Sequence, residues 1–378
     1  MKASPDIIVV GAGVIGCATA YHLARMGAKV TVVDQEAIGS GASFHATGLL
    51  PPWRASHNPH LNALFDASLR LTQELLPRLK DETGVDTLYQ VGEGLRVALR
   101  ADQVAMGKEL AAAPALSGAK LAYVDGDEAQ RLEPRLSQGV LGALWCDRFG
   151  QVDAYRYTLA LAQGAERAGA QFRTARVTGL VRRECRTTAV STPSGDIPCD
   201  SVVLAMGAWS AEASPWTGVP VPVRPVKGQN MRLRWDGAPL RYLLGQIGWG
   251  HLIQRADGFL SAGSTEEEGQ GLSAQATTDA RDRLMAHVLA VMPCLETAQV
   301  VQQFAGPRPV SEDRLPIMGP SPTLQGVYLN TGHGYDGILL AAASGQHVAE
   351  LVLTGRSSVA APEPFLPARF VANQTGGR

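Results

Sequence analysis

The sequence has no surplus of either charge: 34 Lys and Arg face 35 Asp and Glu, a formal net charge of -1. No polyelectrolyte field results, so a nucleic-acid partner is not expected. Long hydrophobic runs are missing from its start, where Ile7-Ile8-Val9-Val10 is far too short for a secretory segment or a membrane span. Cysteine is scarce. Cys17, Cys146, Cys185, Cys199 and Cys294 are odd in number and form no Cys-x-x-Cys pair, which argues against a disulfide framework or a zinc knuckle and fits a reducing, cytoplasmic setting. There is no fixed-period repeat and no low-complexity tract. No metal constellation stands out either, because Glu266-Glu267-Glu268 reads as a solvated loop of like charges.

What is present is enough for about two domains: 378 residues, 45% of them hydrophobic. The first forty residues read as strand, glycine turn, helix and strand, one βαβ opening. A helix is predicted over Leu61 to Leu79, with Thr72 interrupting its apolar stripe and Pro77 placed to kink it or end it early. Leu88 to Arg100 alternates like an antiparallel strand, a change of character that marks a second domain. Tyr155 to Ala168 is helical in spacing, and Gln171 to Val177 and Ser201 to Ala205 are strands on either side of a basic, polar hairpin around Arg182-Arg183. Pro220, Pro222 and Pro225 precede a strand starting near Asn230. A strand at Val327 to Asn330 then leads into a small-residue helix from Gly337 to Leu353, and the end beyond Phe370 is expected to fray.

Gly11-Ala12-Gly13-Val14-Ile15-Gly16 lies between a predicted strand and a predicted helix, the context in which a Gly-x-Gly-x-x-Gly match gains meaning. Glycine lets the backbone approach a pyrophosphate, and a helix N-terminus presents free N–H groups and a positive dipole end to that anion. Asp34 ends the next strand, where a carboxylate accepts hydrogen bonds from an adenosine ribose, so FAD or NAD is implied over NADP. The plain alternative is an ordinary tight turn followed by a capping acid. Cys17, inside that helix, reads as a small core residue.

Three further small-residue segments, Gly39 to Leu50, Ala205 to Ser210 and Gly332 to Ile338, supply the several approaches an extended dinucleotide needs. With them, in order along nearly the whole chain, come Asp147 to Arg156, Pro225-Val226-Lys227-Gly228-Gln229 and Phe304-Ala305-Gly306-Pro307-Arg308-Pro309-Val310. On these motifs the chain resembles the D-amino-acid-oxidase-like superfamily of FAD oxidoreductases, and within it the glycine and sarcosine oxidase branch.

The resemblance implies an α/β fold with an α+β second part. A Rossmann-type FAD-binding domain would use residues 1–84, 146–219 and 303–378, and a substrate domain with a large mixed antiparallel sheet would use 85–145 and 220–302. It places Ser43, Ala46, Thr47, Gly48 and Leu50 along the cofactor, Val177 at the adenine through its backbone, and Gly207 and Trp209 nearby. The backbone N–H groups of Gly334, Tyr335, Asp336, Gly337 and Ile338 would face the pyrimidine edge, where negative charge develops on reduction. Arg308 would clamp the substrate carboxylate with its two-pronged fork, the alternative being a structural salt bridge.

Hydride would then pass from an uncharged amine to flavin N5, giving an imine and then a keto acid, with oxygen as acceptor and hydrogen peroxide as product. His251 stands where related glycine oxidases place a tyrosine, and Tyr335 joins Arg308 and His251 as a candidate catalytic residue. His45 and His333 sit in motifs expected beside the flavin, each with the alternative of a loop residue bonded to backbone. Relatives with covalent FAD carry a cysteine near the position of Gly306, and this chain has none, so the FAD is expected to be non-covalent. Trp145, Trp249 and Phe304 read as core or pocket wall.

Three alternatives stay open: an amino-acid dehydrogenase (D-amino acid, proline or hydroxyproline type) passing electrons to a quinone or partner protein, a non-enzymatic flavoprotein subunit, and a 2-hydroxy-acid oxidoreductase. A homo-oligomer is also left open.

Overall fold

The computed structural model describes residues 6–53 and 58–371, and the end expected to fray lies almost wholly outside them. A six-stranded sheet runs in the order Ile317–Pro320, Val327–Thr331, Ser201–Leu204, Asp6–Val10, Lys29–Asp34, Gln171–Thr174, parallel throughout except for the first pair. Both faces are covered, which explains the unbroken Ile7-Ile8-Val9-Val10 run. Ile7 and Val9 pack with the helices, whereas Ile8 and Val10 pack toward a three-stranded sheet that contains the predicted hairpin, Gly179–Arg183 against Arg186–Thr192.

Four helices form one layer: Val14–Arg25, Pro59–Thr83, Ala154–Arg167 and Gly337–Thr354. The last is apolar and long enough to cross a membrane by length and composition, but it packs on the first two and contributes Leu339 to Ala343 and Val348 to the core. The second helix runs past Pro77 to Thr83, six residues further than an early stop would allow, and ends on Gly84 with φ 76°. Pro77 is exposed, so the carbonyl freed by its missing N–H faces water while Leu75, Leu76 and Leu79 bury. Thr72 is buried within the stripe it was expected to interrupt.

The second large sheet has nine strands. Its main path is Gln299–Ser311, Val223–Arg234, Leu260–Gly263, Trp249–Gln254, Leu243–Gln246, Gln90–Ala98, Gly142–Gln151 and Leu49–Leu50, with Leu121–Asp125 also paired to Gly142–Gln151. It is mixed: Gln90–Ala98 is antiparallel to Gly142–Gln151 but parallel to Leu243–Gln246. Alternation sorts the side chains by face. Leu95, Val97, Met231 and Leu252 pack under helix Thr278–Val291, while Arg96, Asn230 and His251 between them line a cavity on the other face.

The strand expected from Asn230 already begins at Val223 and contains Pro225. There it pairs only with Gln299–Ser311, since Leu260–Gly263 joins from Asn230 onward, so a missing N–H is tolerated. Strands Gly142–Gln151 and Gln299–Ser311 each span one of the domain boundaries read from the sequence, 145/146 and 302/303.

Candidate functional site

Both sheets and the N-termini of helices Val14–Arg25 and Gly337–Thr354 contribute to one cavity of about 820 Å³. That is toward the top of the range, about 300–1,000 Å³, that holds drug-sized ligands. Of the residues singled out from the sequence, it brings together Gly11, Gly13, Val14, Ile15, Asp34, Ser43, Ala46, Thr47, Gly48, Val177, Gly207, Trp209, His251, Arg308, Gly334, Tyr335, Asp336, Gly337 and Ile338.

Gly16 and Leu50 are outside it. Gly16 is required by the protein itself, since a Cβ there would lie 1.9 Å from the Gly11 carbonyl oxygen. Leu50 turns into the core and its neighbour Leu49 lines the cavity, the consequence of strand alternation over a two-residue strand.

The glycine turn is shaped for a close approach. Gly11 has φ 111°, and a Cβ on it would lie 2.2 Å from the Ala205 carbonyl oxygen. A Cβ on Gly13 would meet only the Ser43 hydroxyl, at 3.5 Å, and otherwise the cavity. Ser43 Oγ accepts the Val14 N–H at 2.9 Å, and Asp34 accepts from the N–H groups of Ala12 (2.6 Å) and Glu36 (2.9 Å). The carboxylate thus ties the second strand to the turn and keeps lone pairs for a ribose. In the same wall His45 Nδ1 is buried without a partner, and burial pushes the ring below its ordinary pKa. An open glycine cradle, two helix N-termini and an unsatisfied buried donor-acceptor fit a dinucleotide that carries both a phosphate and a hydrogen-bonding ring.

The turn before the last helix is less free than the sequence suggested. The Gly334 N–H bonds the Pro309 carbonyl (2.8 Å) and the Asp336 N–H bonds that of His333 (3.0 Å). Gly337 and Ile338 head the helix, where N–H groups lack intrahelical acceptors. Asp336 lines the cavity and burial raises its carboxyl to about 6. His333 is buried against Ser344 Oγ (3.0 Å) and burial lowers it to about 3, so it is neutral.

Arg308 extends from strand Gln299–Ser311 over Gly228, where a Cβ would lie 2.0 Å from the guanidinium carbon. Its Nη1 donates to the Thr265 carbonyl (2.9 Å), and among the described residues no carboxylate lies within the 4.0 Å of an ion pair. That removes the structural salt bridge as its explanation. Burial lowers its pKa, against the opposing pull of Tyr335, Glu266 and Glu267.

Tyr335 is 41% exposed and its ring sits 5.0 Å from the guanidinium. Its hydroxyl is pushed up by burial and by a hydrogen bond to Glu266, so the phenol stays protonated. His251 lies inside strand Trp249–Gln254, with Nε2 between Thr47 Oγ1 (3.3 Å) and Ser261 Oγ (3.2 Å). Burial first, then Arg96, Arg255 and Arg308, bring it down to about 3. The acidic run nearby is not simply solvated: Glu267 is half-buried and meets Gln229, Lys227 and Arg283, while Glu268 pairs with Arg224 and Glu266 with Arg314.

Arg96, Asn230, Trp53 and Phe149 also line the cavity and went unnoticed in the sequence. For Arg96, Asn230 and Phe149 the only signal was polar or aromatic character at alternating strand positions, which does not say what a sheet face looks onto, and Trp53 lies in a bend beyond strand Leu49–Leu50. Asn230 Nδ2 donates to the His45 carbonyl at 2.8 Å, joining the sheet to the Gly39–Leu50 segment. Among the described residues no group of three or more His, Cys, Asp and Glu is placed to hold a metal. Cys17 is buried, raised by burial, and its thiol donates to the Ala12 carbonyl.

Comparison with known proteins agrees with this geometry. Residues 6–351 match the family described as FAD dependent oxidoreductase (DAO). Glycine oxidase of Pseudomonas putida is 34% identical over 96% of this chain and 98% of that protein. Human mitochondrial dimethylglycine dehydrogenase is 27% identical over 94% of this chain but only 43% of its own length. The solved structure of glycine oxidase from Geobacillus kaustophilus superposes with a TM-score of 0.88 at 26% identity, covering 97% of this chain and 99% of that one.

Proposed function

Because the chain belongs to the family of FAD-dependent oxidoreductases and is an amine or amino-acid oxidoreductase, we propose that it oxidises a small amino acid or secondary amine of the glycine, sarcosine or D-amino-acid type, with oxygen as acceptor. The observation that carries this reading is Arg308: a half-buried guanidinium with no carboxylate partner among the described residues, in the same cavity as the glycine turn.

Bound FAD supplies an isoalloxazine ring that takes two electrons and the α-hydrogen. Gly11, Gly13, Val14, Ile15, Asp34 and Ser43 would hold its adenosine and pyrophosphate, and Ala46, Thr47, Gly48, Val177, Gly207, Trp209, Gly337 and Ile338, which line the same cavity, would receive the rest of it. The chain's own work is positioning. Arg308 fixes the substrate carboxylate, Gly228 leaves room for the fork, and the Tyr335 ring supports it from below. Neutral His251, held by Thr47 and Ser261, lines the pocket without adding a third charge. Water hydrolyses the released imine to a keto acid.

The same reading divides the chain into an FAD-binding part of 1–84, 146–219 and 303–378 and a substrate part of 85–145 and 220–302, with the two boundary strands shared. Anaerobic mixing with amino acids, N-methyl amino acids and 2-hydroxy acids tests the substrate class: an amino acid should bleach the flavin and a hydroxy acid should not. Activity should rise with pH as the amine deprotonates. Likeness to a dehydrogenase supports a second reading, in which electrons pass to a quinone or partner protein. One hydrogen peroxide per turnover supports oxygen; none supports the second reading.

A further inference from the structure

The cavity contains a second cation that this chemistry does not use. Arg96, on strand Gln90–Ala98, spends Nη2 on the carbonyls of Gln246 (2.7 Å) and Trp249 (3.3 Å) and lies over the Trp53 ring at 5.6 Å. Among the described residues it has no other hydrogen-bond partner and no carboxylate within ion-pair reach. No described residue therefore neutralises it, and burial pushes its pKa down to about 10.

Its direction is fixed by a glycine. A Cβ on Gly245, its register partner, would lie 2.6 Å from Arg96 Nη1, so the side chain crosses strand Leu243–Gln246 toward strand Trp249–Gln254, which carries His251. In strand order His251 stands between Arg96 and Arg308, and both arginines disfavour its protonation. The two guanidiniums thus flank one neutral imidazole in one cavity, each held by carbonyls and each lacking an anion. Both are half-buried at the cavity wall, so a ligand that covers them removes their remaining water, and a desolvated charge is strongly unfavourable until it is paired; a single substrate carboxylate answers only one of them.

We propose that Arg96 is a specificity-determining residue that binds a second carboxylate, and that the preferred substrate is an amine dianion: an N-carboxymethyl amino acid or an aminodicarboxylate, with one carboxylate on Arg308 and the other on Arg96. The inference rests on the reading of Arg308 as the substrate clamp. A monocarboxylic amine fills the Arg308 end alone and leaves Arg96 uncompensated.

The test titrates the FAD-loaded enzyme with two thioethers in which sulfur replaces the amine, thiodiglycolate and methylthioacetate, following the visible flavin spectrum. Wild type should bind the dianion at least tenfold more tightly. Arg96→Met should bring that ratio close to one, Arg96→Lys should keep part of it, and Arg308→Met should weaken both ligands. Equal affinities in wild type overturn the proposal, as does a parallel loss of both ligands in Arg96→Met, which would make the residue a pin for the Gln246–Trp249 turn. Loss of flavin from Arg96→Met overturns it too. If Arg96→Met does not fold, the wild-type ratio and Arg96→Lys decide alone. The thioethers cannot form an imine, so the titration reads Arg96 even if no amine bleaches the flavin. An enzyme that bleaches with amino acids yet ignores the second carboxylate sinks this inference and leaves the proposed function standing.

Discussion

At the glycine turn the cavity wall is backbone; on the nine-stranded sheet it is side chains. Gly11, Gly13, Ser43 and Asp34 lie within a short stretch of sequence, where N–H groups, a positive φ and the absence of Cβ atoms shape the wall and the Ser43 hydroxyl and Asp34 carboxylate hold that backbone in place. Arg96, Gly228, His251 and Arg308 come from strands scattered over more than two hundred residues and meet only because the sheet orders them side by side. The first kind of site is local and tolerates nothing added. The second is assembled by topology, and its parts separate by chemistry: each removed side chain should cost substrate handling and leave the cofactor in place.

The largest test of that contrast is Arg308→Met. Losing a buried charge-assisted contact of about 4 kcal/mol lowers kcat/KM by roughly 10³, while the purified protein stays yellow; a colourless variant would show that the two walls are not separable. Next is Gly228→Ala, whose Cβ would lie 2.0 Å from the Arg308 guanidinium carbon. Displacing the clamp by about 1 Å reduces kcat/KM by roughly 10², again with flavin retained. Gly13→Ala should do the opposite. Its Cβ meets nothing closer than 3.5 Å in the protein, so the melting temperature barely moves, yet FAD affinity measured by equilibrium dialysis falls about tenfold as the pyrophosphate loses its close approach.

The smallest effects concern pH and are read as melting temperature of the flavin-free protein. His251 and His333 have folded pKa values of about 3, below their ordinary 6.5. The unfolded chain therefore takes up protons that the folded one refuses, and stability is lost as pH falls from about 6.5 toward 3. Asp336, raised from 3.8 to about 6, acts in the reverse sense: its penalty grows as pH rises through that window and is complete above it. Asp336→Asn should raise the melting temperature at pH 8 by ~2 °C and leave it unchanged at pH 3.5. A uniform shift at both values would point to altered packing instead.

The contrast also explains what was legible in the sequence. The βαβ opening, Asp34 and the small-residue segments were readable because turns and helix starts leave local signatures, whereas Arg308, inside strand Gln299–Ser311, stood out only through the motif around it. Two residues expected in the backbone wall lie outside the cavity lining. Gly16 looked like a cofactor glycine, yet its missing side chain serves the Gly11 carbonyl, and Leu50 was assigned to the face that Leu49 occupies. Pro77 carries a helix-breaking signal in sequence, but it faces water inside helix Pro59–Thr83, which no local pattern encodes. Arg96 was visible only as a polar residue between Leu95 and Val97. Its meaning depends on Gly245 and His251, about 150 residues away, whose pairing no local pattern encodes.

One measurement addresses the central claim, a flavin reduced by a molecule anchored through its acid group. Anaerobic bleaching rates are compared for the amino acid oxidised fastest and for its uncharged amide, in wild type and in Arg308→Met. The account predicts that wild type strongly prefers the acid and that the variant, still yellow, loses the preference. Equal rates for acid and amide in wild type, or a preference that survives in Arg308→Met, would contradict it.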